Sequence, residues 1–205
     1  METIINTFVP EEVIDDVREY LSFYDDLEIK IAKARQSKWG DLRYFPSEKK
    51  YVITINDNLN KYEFLFTMMH EVAHYLTMKK YGNKVKPHGK EWKKEFSNLL
   101  FKCVENHELP KDVADAFYAH AISPKASITT DRNLRNVLRK YSHDYNKKVL
   151  TLEMIGEGDY FVYHGKIFER LEQRRKLIRC RDVNKNKYYL FQPDVIVKRI
   201  PHDVQ

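Results

Sequence analysis

The chain has 205 residues, 42% of them hydrophobic, with 36 Lys+Arg against 30 Asp+Glu and a net charge of +6. This length buries a core in one or two domains, and two cysteines exclude a disulfide framework. No apolar run reaches the roughly eighteen residues of a membrane span, and residues 1–10 lack the basic-then-apolar order of a secretory leader, so the expected setting is cytoplasmic, with no membrane partner.

In chain order, Pro10-Glu11-Glu12 predicts a helix start, with proline in the first turn and acids at the positive end of the dipole. Val13, Ile14, Val17, Tyr20 and Leu21 form its apolar face. Leu27-Glu28-Ile29-Lys30-Ile31 alternates as a strand. Trp39-Gly40 marks a turn before a second strand over 42–45, and Tyr51-Val52-Ile53-Thr54-Ile55 reads as a third. Asn60 and Glu63 have the spacing of a capping box. The following run, 62–78, contains neither Gly nor Pro and is apolar on almost every side, which predicts a buried helix. Gly82-Asn83 and Pro87 allow a reversal. A second helical run to about Val104 follows, with Trp92, Phe96, Leu99, Leu100 and Cys103 as its stripe.

Beyond Leu109-Pro110 a helix is expected over 111–122, a loose stretch over 123–129, and a helix capped by Thr130 or Asp131 that carries Leu134, Val137, Leu138 and Tyr141 and ends at His143-Asp144-Tyr145-Asn146. Short strands are predicted at 160–163, 166–168, 175–183, 187–191 and 195–199, with Asn184-Lys185-Asn186 as a hairpin connection. The reading is an α+β chain: a first domain over 1–109 (helix, three-stranded sheet, buried helix, returning helix), a helical connector over 110–149 and a small β-rich module over 150–205.

The buried helix carries His70-Glu71-Val72-Ala73-His74. Histidines four apart lie one turn apart on one helical face, about 6 Å between their stems. Both nitrogens then reach one zinc ion at about 2.0–2.1 Å, and the glutamate between them can act as a general base on a metal-activated water. The plainer alternative is a pair of hydrogen-bonded core histidines. Such a zinc site takes a third protein ligand and leaves one position open. His88 is the candidate, placed four residues before Trp92 so as to project from the inward stripe of the returning helix; the plainer alternative is a surface loop histidine. Tyr75 and Tyr81 lie near the motif, but no oxyanion-stabilising group is identified by position alone.

His70-Glu71-x-x-His74, followed by His88-Gly89-x-x-Trp92-Lys93, resembles the SprT-like metallopeptidases, which include the Spartan proteases. The upstream segments Arg35-Gln36-Ser37-Lys38-Trp39-Gly40 and Ile53-Thr54-Ile55-Asn56 also fit, and the resemblance spans about residues 10–105. It implies a zincin-like fold, zinc on His70, His74 and His88, Glu71 as catalytic acid/base, and a protein or peptide substrate. Many members end in a four-cysteine zinc ribbon; with only Cys103 and Cys180, this chain has none, and the β-rich module stands in its place.

Charge is unevenly spread. Residues 1–75 carry a net −5 and residues 76–205 a net +11. One basic cluster, Lys79, Lys80, Lys84, Lys86, Lys90, Lys93 and Lys94, brackets His88; a second comprises Arg170, Arg174, Arg175, Lys176, Arg179 and Arg181. Clustered positive charge attracts polyanions, and Spartan-type members act on DNA-bound proteins, so DNA is the expected partner beside the protein substrate. Two classes therefore stand at this stage: a zinc metallopeptidase acting on proteins, including nucleic-acid-associated ones, and a nucleic-acid-binding module whose zinc site is structural or inactive. Glu71 argues for the first, because a structural site has no use for a base.

Overall fold

The computed structural model describes residues 1–35, 37–106, 108–142 and 150–200. The chain divides into two compact units, Met1–His143 and Asp144–Gln205. The first is α+β, a three-stranded sheet with helices.

Helix α1 (Glu2–Phe8) precedes a 3-10 turn over Glu11–Val13 and helix α2 (Ile14–Ser22). Pro10 caps the 3-10 turn, and the regular helix begins only at Ile14, because Val13 departs from helical geometry (φ −126°, ψ 5°). Helix α1 has too few residues for a periodic pattern, yet it buries Ile5, and its Phe8 ring stacks on Phe64 at 5.1 Å. Strands β1 (Leu27–Ala32), β2 (Gly40–Phe45) and β3 (Lys50–Asn56) follow. Their order is β1-β3-β2, with β1 parallel and β2 antiparallel to β3, so β2 is an edge strand.

Helix α3 (Lys61–Tyr81) has the complete capping box. Asn60 Oδ1 accepts the N–H groups of Tyr62 and Glu63, and Glu63 Oε2 accepts the Asn60 N–H. Gly82, at φ 62°, ends the helix, a backbone region where a side chain would be crowded. The apolar residues all round α3 are explained by its surroundings: sheet on one side, helix α4 (Lys90–Asn106) on another, with Phe64, Met68, Val72, Ile53, Ile55, Phe96 and Leu100 in one core.

Helices α5 (Lys111–Ile122) and α6 (Arg132–Arg139) make up the segment read as a connector. Their Val113, Ala116, Phe117, Leu134 and Leu138 belong to the same core as α3. Asn60 Nδ2 ties the α3 cap to the end of α6 through Leu138 O and Ser142 Oγ, at 2.9 and 3.0 Å. Asp131 is the α6 cap, its carboxylate accepting the Leu134 N–H. The expected stop at 143–146 lies outside the described residues.

The second unit is an antiparallel sheet in the order β7-β6-β5-β4-β8. It comprises β4 (Tyr160–Tyr163), β5 (Lys166–Arg174), β6 (Leu177–Asp182), β7 (Lys187–Phe191) and β8 (Lys198–Arg199). The strand expected over 166–168 runs on to Arg174 through a bulge between Arg170 and Gln173. Its alternating polar residues face cross-strand partners such as Arg181, which offsets their low apolar content. Phe161, Phe168, Ile178, Cys180 and Phe191 form the core, whereas Tyr188 and Tyr189 are exposed. No helix among the described residues is long and apolar enough to cross a membrane.

Candidate metal centre

Helix α3 presents His70 and His74 one turn apart, as their spacing requires. His88 arrives differently from the expectation: it lies in the turn before α4 and not on that helix's stripe. Gly89 N–H closes the turn on Lys86 O at 2.9 Å, with Pro87 and His88 between them. His88 takes φ 57°, a left-handed conformation that costs a non-glycine residue of the order of 1–3 kcal/mol and clusters at functional sites. From this turn His88 Nε2 reaches to 2.9 Å from His74 Nε2 on α3.

The three Nε2 atoms converge. His70–His74, His74–His88 and His88–His70 separations are 3.3, 2.9 and 3.2 Å, and these residues form the one histidine/cysteine/carboxylate cluster of metal-binding shape among the described residues. A tetrahedral metal with bonds of about 2.0–2.1 Å to nitrogen holds its ligand pairs about 3.3–3.4 Å apart, so the triangle is close to one face of such a tetrahedron. Burial, then the neighbouring imidazoles and His120, pushes the His70 pKa down to about 2. Burial and His88 take His74 to about 4, and burial lowers His88. Neutral imidazoles are the metal-binding form. A ring nitrogen that carries hydrogen cannot also accept, so the three cannot all satisfy one another, whereas a cation at their centre accepts all three lone pairs; the donor set fits a metal ion.

Trp92, fully buried on α4, backs all three rings. Its ring lies 4.7, 5.2 and 4.6 Å from those of His70, His74 and His88, and its indole N–H donates to His70 O at 3.3 Å. In sequence Trp92 reads as one position of a hydrophobic stripe and as the aromatic of the His88-Gly89-x-x-Trp92 pattern.

Glu71 is buried at 6% exposure. Burial first, then the Asp41 charge, pushes its carboxyl up to about 8 against the opposing pull of Lys38 and Arg35; a cation at the three nitrogens acts in the same sense as those bases. The start of β2 lies directly against it. A Cβ placed on Gly40 would be 2.9 Å from Glu71 Oε1 and 2.7 Å from Thr67 Cγ2, so only glycine admits this approach.

A polar network fixes the strand there. Asp41 binds the Arg35 guanidinium and the Thr54 hydroxyl, while Arg35 reaches Asn56 Oδ1 at 2.8 Å and Thr54 O at 3.1 Å. Asn56 Nδ2 returns to the carbonyls of Arg35 and Lys38. Burial alone raises the Asp41 pKa, but the hydrogen bonds from Thr54 and Arg35, with Lys38 and Arg43, outweigh it and hold the carboxyl well below the usual range.

The three histidines, Glu71, Gly40 and Asp41 open on a cleft of about 570 Å³, bounded by residues 37–42, by Phe66, Thr67 and Met78 of α3, by Pro87-His88 and by residues 126–128. Tyr75 does not line it: the side chain is buried among Tyr24 and Tyr51 and donates to Asp26 at 2.6 Å. Tyr81 is also absent from the lining. Of the basic residues, Lys79 pairs with Asp26, Lys80 with Glu95 and Lys90 with Glu91. In the second unit Arg174 and Arg179 reach Glu172, Arg181 reaches Glu169, and the Arg179 guanidinium lies 4.0 Å over the exposed Tyr188 ring.

A helix with two one-turn histidines, a third histidine from the following turn and a buried glutamate beside an open cleft give this α+β domain a histidine triad of a shape that could hold a metal ion. The model of the SprT-like family matches residues 16–110, which supports the resemblance carried by the histidine motifs. Helices α5 and α6 and the second unit lie beyond the matched segment. No curated protein and no solved structure matches the chain.

Proposed function

We propose that the protein is a zinc-dependent endopeptidase of the zincin type, with His70, His74 and His88 as metal ligands and Glu71 as acid/base. The observation that carries this reading is the placement of Glu71 beside three convergent imidazole nitrogens in an open cleft. Zinc, when bound, supplies a Lewis acid that polarises a scissile carbonyl and lowers the pKa of water toward about 7. Glu71 takes the proton of the attacking water and passes it to the leaving amine. The free edge of β2 pairs with an extended substrate backbone, and Gly40 lets that edge lie against Glu71. Two buried free cysteines suit the reducing, cytoplasmic setting that we propose.

Glu71→Gln keeps size and hydrogen bonding but removes the base. The expected protein is folded and zinc-loaded, with cleavage of an unfolded protein substrate reduced by about 10² or more. His88→Ala is expected to lose zinc in elemental analysis. A Glu71→Gln protein as active as wild type would remove the assigned role and favour the alternative, a nucleic-acid-binding module with a structural or inactive zinc site.

The proposal extends to DNA as a partner. Its support is the run of exposed Lys84, Lys86, Lys90, Lys93 and Lys94 beside the His88 turn, and, separately, the Arg179–Tyr188 stack with Arg170, Arg174, Arg175, Lys176 and Arg181 in the second unit. The ion pairs of Lys79, Lys80 and Lys90 offset part of their charge, so these three contribute less to phosphate attraction than Lys84, Lys86, Lys93 and Lys94.

A further inference from the structure

One wall of the cleft comes from outside the family segment. Residues Ala126, Ser127 and Ile128 line it, and they sit in the connection between α5 and α6. That connection is held at both ends. The buried His120 ring donates from Nδ1 to Asp131 Oδ2 at 2.8 Å and accepts the Lys125 N–H at Nε2, at 3.4 Å. Lys125 Nζ lies 3.3 Å from the same carboxylate. Asp131 N–H returns to Ile128 O at 2.9 Å, and the N–H and hydroxyl of Thr130 both reach Ser127 O.

The wall also has an apolar backing. The His120 ring meets Phe66 edge-on at 5.0 Å. Phe66 lies one turn before His70 on α3 and lines the cleft itself. Ile128 is half-buried against the core. An apolar corner thus stands one turn from the convergent histidine nitrogens, and the charged residues of the lining, Lys38 and Asp41, come from the segment that also brings Trp39 and Leu42.

We propose that Phe66, Ala126 and Ile128 form a side-chain subsite that selects an apolar, leucine-like residue of the substrate next to the scissile bond. This rests on the metallopeptidase reading above. A charged side chain placed there would be desolvated without a partner, and glycine would leave the corner wet. Ile128 and its fixed connection are then specificity-determining, although they lie beyond the segment that carries the chemistry.

The test uses the zinc-loaded full chain and two peptide hydroxamates that differ only in an isobutyl group or a hydrogen next to the zinc-binding end, titrated by calorimetry. Wild type is expected to bind the isobutyl compound tighter by about 10-fold or more, the scale of a few methylenes in an apolar pocket. Ile128→Ala should bring the ratio toward one. Ala126→Trp, at an exposed position that tolerates size, should fill the corner and favour the glycyl compound; zinc content reports whether each variant is folded. A wild type that does not distinguish the two compounds, or an unchanged ratio in both variants, overturns the subsite. The peptidase reading fails separately: intact hydroxamate discrimination without any cleavage of protein substrates would count against that reading and leave the subsite standing.

Discussion

The indole N–H of Trp92 donates to the main-chain carbonyl of His70 at 3.3 Å, and the same ring packs on all three histidines. One residue of α4 therefore sets the spacing between the two helices and the orientation of the rings. Trp92→Phe keeps an aromatic ring and removes the donor. The expected protein is folded, destabilised by about 1 kcal/mol for the lost hydrogen bond, with metal affinity lowered by about 10–100-fold, the range for groups that orient ligands. Thermal melting and competition against a chelator measure the two effects. Wild-type metal affinity would show that the rings hold their positions without the indole.

Gly40 meets Glu71 across the cleft edge. The methyl group of Gly40→Ala would come within 3 Å of both Glu71 Oε1 and Thr67 Cγ2. Thr67 cannot easily turn aside, since it is buried and its hydroxyl donates to Glu63 O at 2.7 Å. Overpacking of this kind costs about 1–3 kcal/mol. The displacement of β2 from Glu71 should lower kcat/KM by about 10-fold or more at unchanged zinc content. Denaturant unfolding, elemental analysis and peptide cleavage would show it; full activity would mean that the strand relaxes without moving the base.

Asp41 ties stability to pH. Its folded pKa is depressed by Thr54, Arg35, Lys38 and Arg43, whereas an unfolded aspartate titrates near about 3.9. A depressed carboxyl contributes stability that is fully present above the unfolded pKa and is lost as pH falls through the folded one. Asp41→Asn should therefore be less stable than wild type near neutral pH, and the difference should shrink progressively below about pH 4. Urea midpoints of both proteins from pH 7 downward test this. A constant difference would mean that Asp41 acts through shape and not through its charge.

DNA binding of the proposed kind is electrostatic. Each phosphate contact on duplex DNA contributes about −0.9 to the log–log slope of affinity against salt. Charge reversal at Lys84, Lys86 and Lys90 should weaken binding alike for all sequences and flatten the slope, and reversal at Arg175 and Lys176 should do the same for the second cluster. Fluorescence anisotropy at about 50 and 200 mM salt is the measurement, because phosphate-driven affinity changes steeply over that range. No binding at the lower salt would withdraw DNA as a partner and leave the peptidase reading intact.

Local rules suffice for the motif helix. Asn60 and Glu63 cap it, the absence of Gly and Pro over 62–78 lets it run, and a four-residue spacing puts His70 and His74 on one face whatever surrounds them. The alternation of Leu27–Ala32 and the β-branched run at 51–55 likewise mark strands, because a period of two needs only neighbours in sequence. Tertiary structure alone decided the rest. His88 enters from a strained turn and not from a helical stripe, and helical periodicity says nothing about where the side chain of a turn residue points. Gly40 resembles any turn glycine until α3 is packed beneath β2. Arg35 and Asn56 fall in segments that fit the family pattern, but nothing in their spacing joins them to each other or to Asp41 until the sheet order β1-β3-β2 brings the three together. Ile128 reaches the cleft only because α5 and α6 share the core of α3. Each of these is a contact between residues far apart in the chain, set by the packing of whole elements, and no local pattern carries it.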